Sequence, residues 1–126
     1  MLTQSMKRYL FAIYSLGQNG NKIRLTDVAK FMDVSKSSAV KMTERLVSDG
    51  YILKEPYREI ELTQTGIKAA NELYTPSIIL REFLENQVGV SKENSAADAM
   101  VLAVHTSDET IEKLIEYVLD LGGKET

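Results

Sequence analysis

The chain has no cysteine and only one histidine, His105. The first absence excludes disulfides and thiolate metal sites and agrees with a cytoplasmic location. No segment approaches the roughly 18 consecutive apolar residues of a membrane span. The N-terminal MLTQSMKRYLFAIYSL carries an apolar run, but basic residues interrupt it and no small-residue cleavage site follows. It reads as an amphipathic helix, not a signal peptide. Enzyme chemistry also lacks its parts. There is no glycine-rich phosphate loop, and Gly17-Gln18-Asn19-Gly20 reads as a turn. Carboxylate pairs such as Glu109 and Glu112 fit a solvated helix face. No catalytic residue and no cofactor are assigned.

What remains is ordinary globular material. At 126 residues and 44% hydrophobic content, the chain forms one domain, or a small domain with an appendage. Its net charge of −3 conceals an asymmetry: residues 1–58 hold ten Lys/Arg against five Asp/Glu, and residues 59–126 hold five against thirteen. A basic half beside an acidic half suits a module that meets a polyanion joined to one that does not.

The basic half contains the most informative stretch, Ile23 to Leu62. Thr26 before Asp27 is an N-cap signal, and Leu25, Val28, Ala29 and Met32 then recur at helical spacing. Asp33-Val34 makes a turn, and Ser35 can cap a second helix. Ala39, Met42, Thr43 and Leu46 form that helix's inward face, leaving Ser37, Val40, Lys41, Glu44 and Ser48 outward. Gly50 stands where a left-handed residue ends the helix. Tyr51–Lys54 and Arg58–Leu62 read as two short strands, with Glu55-Pro56-Tyr57 at the tip and Ile60 and Leu62 alternating with Glu59 and Glu61. Two short helices, a tight turn and a hairpin make a helix-turn-helix with a wing. That arrangement sets one helix in a DNA major groove with the hairpin beside it.

The flanks extend the plan. Ser5 can cap a first helix with Met6, Tyr9, Leu10, Ile13 and Leu16 inward, and Ile23 can add a short third strand behind the wing. A fourth helix follows Gly66, with Ile67, Ala70, Leu73 and Tyr74 on one side, and Thr75-Pro76 interrupts or kinks it. Gly89 to Asn94 reads as a loop. Ser95 to His105, SAADAMVLAVH, is small and apolar on nearly every side, which calls for cover on every side. A second copy of the chain is the natural cover. Ser107 caps a last helix with Asp108 and Glu109 in its first turn and Ile111, Leu114, Ile115 and Val118 inward, and Gly122-Gly123 stops it.

The chain resembles the diphtheria-toxin-repressor family of metal-dependent regulators, most closely its short manganese-responsive branch. The resemblance runs through SMKRYLFAIYSL, LTDVAKFMDVSKSSAVKMTERLVSDGYI, YREIELTQTGIKAA, REFLENQVGV and HTSDETIEKL. It implies a mainly α fold, a winged helix-turn-helix followed by a helical dimerisation domain, acting as a two-fold dimer on duplex DNA. It also implies divalent-metal ligands on the first, fourth and fifth helices. The corresponding positions here are Arg8, Phe11, Ser77, Met100, Ala103 and Val104. None is a carboxylate or imidazole, the donors such ions want, and His105 lies one position off. No metal ligand is therefore assigned.

These readings predict a DNA-binding domain over 1–72 and a helical dimerisation domain over 73–126. The chain is expected to be a cytoplasmic homodimeric regulator, a repressor, that binds double-stranded DNA without the family's metal sensing and without a membrane. Ser35, Lys36, Ser37, Ser38, Val40 and Lys41 are the candidate groove residues, and Lys54, Tyr57 and Arg58 the candidate wing contacts. The alternatives are a winged-helix protein-interaction module that no longer binds DNA, and a regulator that still responds to metal at a displaced site.

Overall fold

The computed structural model describes residues 2–54 and 59–124, and it divides into two compact units, residues 1–71 and 72–126. The first contains α1 (Gln4–Leu16), α2 (Leu25–Met32), α3 (Lys36–Ser48), β1 (Ile52–Lys54) and β2 (Ile60–Leu62). Helix α4 (Gln64–Phe83) follows, then a single wide helical turn (Leu84–Val88), α5 (Lys92–His105) and α6 (Asp108–Lys124).

The helix starts show which polar groups won the local competition. Thr3, not Ser5, caps α1, its side chain accepting from the Met6 N–H at 3.1 Å. Helix α2 begins one residue before Thr26, and Asp27 Oδ2 accepts from the Arg24 N–H at 3.1 Å. A carboxylate in the first turn thus occupies a backbone donor, and Thr26 lies inside the helix, exposed. Asp33 ends α2 at φ 55°, ψ 49°, a left-handed geometry that a short polar side chain tolerates. At the end of α3, Gly50 takes φ 84°. The Gly50 and Tyr51 amides donate to the carbonyls of Val47 at 3.0 Å and Leu46 at 2.9 Å, closing the helix by the two bonds of a Schellman motif.

The core of the first unit joins Met6, Leu10 and Ile13 of α1 to Val28, Ala29 and Met32 of α2. Ala39 and Leu46 of α3 and Ile52 and Ile60 of the hairpin complete it. The inward residues expected on α2 and α3 are there, with Leu25 and Met42 half-buried at its edge. Strands β1 and β2 pair antiparallel, with Ile52 opposite Leu62 and Lys54 opposite Ile60. Ile23 contributes one bond, its carbonyl accepting from the Ile60 N–H at 2.8 Å, and among the described residues no third strand forms.

Three boundaries differ from the sequence reading. Helix α4 runs unbroken through Pro76. The proline ring forfeits one bond, to the carbonyl of Glu72, which lies on an exposed turn. Helix α5 begins at Lys92 because Ser91 caps it, accepting from the Asn94 N–H at 3.2 Å, so the preceding loop is short. Helix α6 starts where expected, with Ser107 accepting from the Thr110 N–H at 3.2 Å, but continues past Gly122-Gly123 to Lys124.

The second unit has a smaller core. Leu80, Ala99 and Val118 are buried together, with Ile79, Phe83, Leu84, Leu102, Ile111, Leu114 and Ile115 partly buried around them. Only one side of α5 is covered within the chain: Ser95, Ala99, Ala103 and Val104 are buried, whereas Ala97, Val101 and His105 are exposed. The expectation of burial all round is thus met on one face, where Ala99 packs with Leu80 of α4 and Val118 of α6. Small residues at i and i+4 let backbones approach closely, which explains the choice of Ser95, Ala99 and Ala103 on that face.

Thr63 and Gly66 tie α4 to the end of α3. The Thr63 hydroxyl lies 2.7 Å from the Gly50 carbonyl and 3.0 Å from that of Tyr51, and accepts from the Gly66 N–H at 3.0 Å. A Cβ on Gly66 would sit 2.0 Å from the Tyr51 carbonyl oxygen, so no side chain fits without backbone movement. Gly66→Ala should destabilise the chain by about 1–3 kcal/mol or more, the cost of overpacking against a rigid neighbour. A lowered urea midpoint at unchanged m-value checks this.

Candidate nucleic-acid interface

Helix α3 is held from one side and offered from the other. Ala39, Thr43 and Leu46 are fully buried against the core. Lys36, Ser37, Ser38, Lys41 and Glu44 are exposed, and Val40 is half-buried. The candidate groove residues therefore share one outward surface over a rigidly packed inner one.

The N-terminus of α3 is organised by hydroxyls. Ser35 Oγ accepts from the Ser38 N–H at 3.1 Å and donates to Ser38 Oγ at 2.9 Å, and it lies 3.2 Å from Ser37 Oγ. The amides of Lys36 and Ser37 have no carbonyl a turn earlier within the helix. Free amides, the positive end of the helix dipole and the Lys36 side chain coincide there, a combination suited to a phosphate oxygen. Ser37, Ser38 and Lys41 present donors along the same face, and Val40 an apolar surface of the kind that meets a thymine methyl.

The wing is tied to α3. Thr43 Oγ1 donates to the Ala39 carbonyl at 2.8 Å, and Lys54 Nζ lies 3.4 Å from the same oxygen. Lys54, the last residue of β1, is accordingly half-buried, with further ammonium protons free for a backbone phosphate. Beside it, Lys22 and Glu59 form an exposed ion pair at 3.5 Å. Tyr57 and Arg58, the other two wing candidates, lie outside the described residues.

Sequence reading missed Arg45. It is exposed on α3, one turn beyond Lys41 and on the same side, and it adds a third cation to the surface carrying Lys36 and Lys41. The i, i+4 spacing from Lys41 was the available signal. The tie between Thr43 and Lys54 had no such signal, because only folding brings the two together.

A short capped helix packed behind a second one, with a hairpin at its end, defines the winged helix-turn-helix class. Residues 1–60 match the family described as "Iron dependent repressor, N-terminal DNA binding domain", and residues 63–122 match "Iron dependent repressor, metal binding and dimerisation domain". The chain belongs to the iron dependent repressor family, a family of transcriptional repressors and not of enzymes. It is 33% identical over 118 residues to the HTH-type transcriptional regulator MntR of Lysinibacillus sphaericus, covering 94% of this chain and 84% of that one. It is 31% identical over 114 residues to the uncharacterized HTH-type transcriptional regulator MJ0568 of Methanocaldococcus jannaschii, covering 90% and 91%.

Among solved structures, the manganese regulator SloR superposes with a TM-score of 0.73 at 27% identity, over 93% of this chain and 54% of that one. The metal-dependent transcriptional regulator MtsR superposes with a TM-score of 0.75 at 28% identity, over 94% and 55%. The chain thus spans about half the length of these two solved structures. The comparisons agree with the resemblance, the mainly α winged fold and the DNA-binding regulatory class read from the sequence. Among the described residues, no helix is long and apolar enough to cross a membrane.

The metal that the family description implies does not fit the residues present. Of the six positions where the resemblance places ligands, Phe11 is 7% exposed, Ser77 6%, Ala103 8% and Val104 1%, and Arg8 and Met100 are half-buried. The one hydroxyl among them, on Ser77, donates to the Tyr74 carbonyl at 2.6 Å. Arg8 supplies a permanent positive charge in place of a ligand.

Ser35→Ala removes the cap of α3 and should cost about 1 kcal/mol. If this helix end is the one that meets a phosphate, the same change should weaken duplex binding, since that end loses its order. Paired denaturation and fluorescence-anisotropy titrations measure the two effects, and undiminished DNA affinity would show that this helix end does not face the duplex.

Proposed function

We propose that the protein is a sequence-specific transcriptional repressor that acts in the cytoplasm as a homodimer on double-stranded DNA. The observation that carries the reading is the outward surface of α3, where Lys36, Ser37, Ser38, Val40 and Lys41 stand over a buried inner face. In this reading the N-terminal half of α3 enters the major groove. Lys41 donates to guanine O6 or N7, Ser37 and Ser38 serve bases or phosphates, and Val40 covers a thymine methyl. Lys36 and the amides at the start of α3 take one phosphate, and Arg45, Lys54, Tyr57 and Arg58 take others. Repression follows from occupying the operator, and it proceeds without the divalent-metal sensing that the family description implies.

The dimer is proposed from α5. The chain covers Ser95, Ala99, Ala103 and Val104 itself and leaves Ala97 and Val101 exposed, Val101 at 47%. A second copy laid on that face would bury apolar surface which one chain leaves in water. Two copies related by a two-fold axis would present two α3 helices to two half-sites, so the operator should be palindromic.

Two outcomes are expected. Binding to genomic fragments should weaken with salt, with a log–log slope of about −0.9 per phosphate neutralised. Arg45→Ala and Lys54→Ala should each reduce that slope by about 0.9 and weaken all sequences alike, whereas Lys41→Ala should relax the preference at one base pair. An affinity indifferent to salt would rule out this mode of binding. Separately, sedimentation should find a dimer at micromolar concentration, and Val101→Glu should shift it to monomer with the fold intact by circular dichroism, because the new charge is tolerated in water but not in an apolar interface. A wild-type monomer would end the dimer reading.

A further inference from the structure

A divalent-cation site needs several carboxylate or imidazole side chains converging on one point with lone pairs left for the ion. Among the described residues, no group of three or more His, Asp or Glu side chains is placed to hold a metal ion. Residues 63–122, which match the metal-binding description, contain one histidine, His105, exposed at the last residue of α5. The acidic residues of that stretch are exposed, except for the half-buried Glu85.

The buried polar groups point the same way. Ser77 spends its hydroxyl on the Tyr74 carbonyl, and Ser95 donates to the Val90 carbonyl at 3.3 Å. Among the described residues, no buried side-chain nitrogen or oxygen lacks a partner. A cavity evolved to coordinate an ion would leave oxygens or imidazole nitrogens directed inward and unsatisfied without it, and such groups are costly to bury. At the positions in question the chain has methyl, thioether and phenyl groups, one hydroxyl already bonded to a carbonyl, and one guanidinium. Apolar groups cannot replace a cation's hydration shell, and a guanidinium repels the ion.

We infer that this regulator is metal-blind: the positions corresponding to the family's ligands serve as packing, and its DNA affinity and stability are the same with and without Mn2+, Fe2+ or Zn2+. A ligand shifts a conformational equilibrium only through its differential affinity for the two states. With no ligand shell there is no such difference. The DNA-competent arrangement is then the resting one, and operator occupancy follows the concentration of the chain. The statement about affinity rests on the DNA-binding reading above; the statement about stability does not.

The test uses the purified full chain in excess EDTA and then in excess Mn2+, Fe2+ or Zn2+, with a His105→Ala variant to identify any zinc held at that exposed imidazole. Thermal melts are expected to superimpose, because only a ligand that binds the folded state raises Tm. Saturating metal at a true site would raise it by roughly 10 °C. Anisotropy titrations against a fragment selected from genomic DNA are expected to return one Kd in every condition, whereas allosteric coupling would change it roughly 5–150-fold. A metal-dependent rise in Tm that survives His105→Ala, or DNA binding that tightens on adding metal, would overturn the inference. Superimposed melts with no DNA binding under any condition would support metal-blindness and overturn the DNA-binding reading instead.

Discussion

The burial of one side of α3 is the constraint on which the first unit depends. Ala39, Thr43 and Leu46 are wholly inaccessible, and the core they join draws on α1, α2 and both strands. With that side fixed, the opposite side has no freedom to choose its direction. Ser35 sets where the helix begins and Gly50 where it ends. The hydroxyl of Thr43 would be a liability in such a core, but it bonds back to the Ala39 carbonyl and receives Lys54 from the wing. The outward face of α3 and the hairpin are thereby held as one piece, which is what the proposed reading of a groove and gripping of its phosphates requires.

The second unit is organised on a different balance. Its core contains few large side chains, and it leaves Ile78, Val88, Val101, Tyr117 and Leu119 in solvent. A small helical unit with so much apolar surface outside gains stability from a partner more readily than from further internal packing. Residues 59–126 hold five Lys/Arg against thirteen Asp/Glu, a balance that disfavours contact with a phosphate backbone.

Departure from the family pattern is as informative as agreement with it. The winged helix-turn-helix carries its turn, its caps and its outward lysines intact, while the six positions associated with metal carry arginine, phenylalanine, serine, methionine, alanine and valine. Loss of one or two ligands would weaken a site. None of the six offers a carboxylate or an imidazole, and that chemistry is what the proposal of metal-blindness rests on.

Much of this was legible in one dimension. Apolar residues at helical spacing located α2 and α3, Ser35 and Gly50 marked the ends of α3, and Ile60 alternating with Glu59 and Glu61 marked a strand, because each signal depends on neighbours within one turn or one pleat. The outward residues of α3 followed, since they are whatever the buried stripe leaves over. Other features were decided only in three dimensions. Thr3 displaced Ser5 as a cap, and α4 continued through Pro76, because packing elsewhere can outweigh one cap or one lost bond. The close contact of Gly66 with Tyr51, the bond from Lys54 to Thr43 and the division of α5 into a covered and an exposed side all join residues distant in sequence. The chain's local chemistry determined which helices form and what they could present to DNA. The tertiary structure decided which of their faces are available, because availability depends on what the rest of the chain covers.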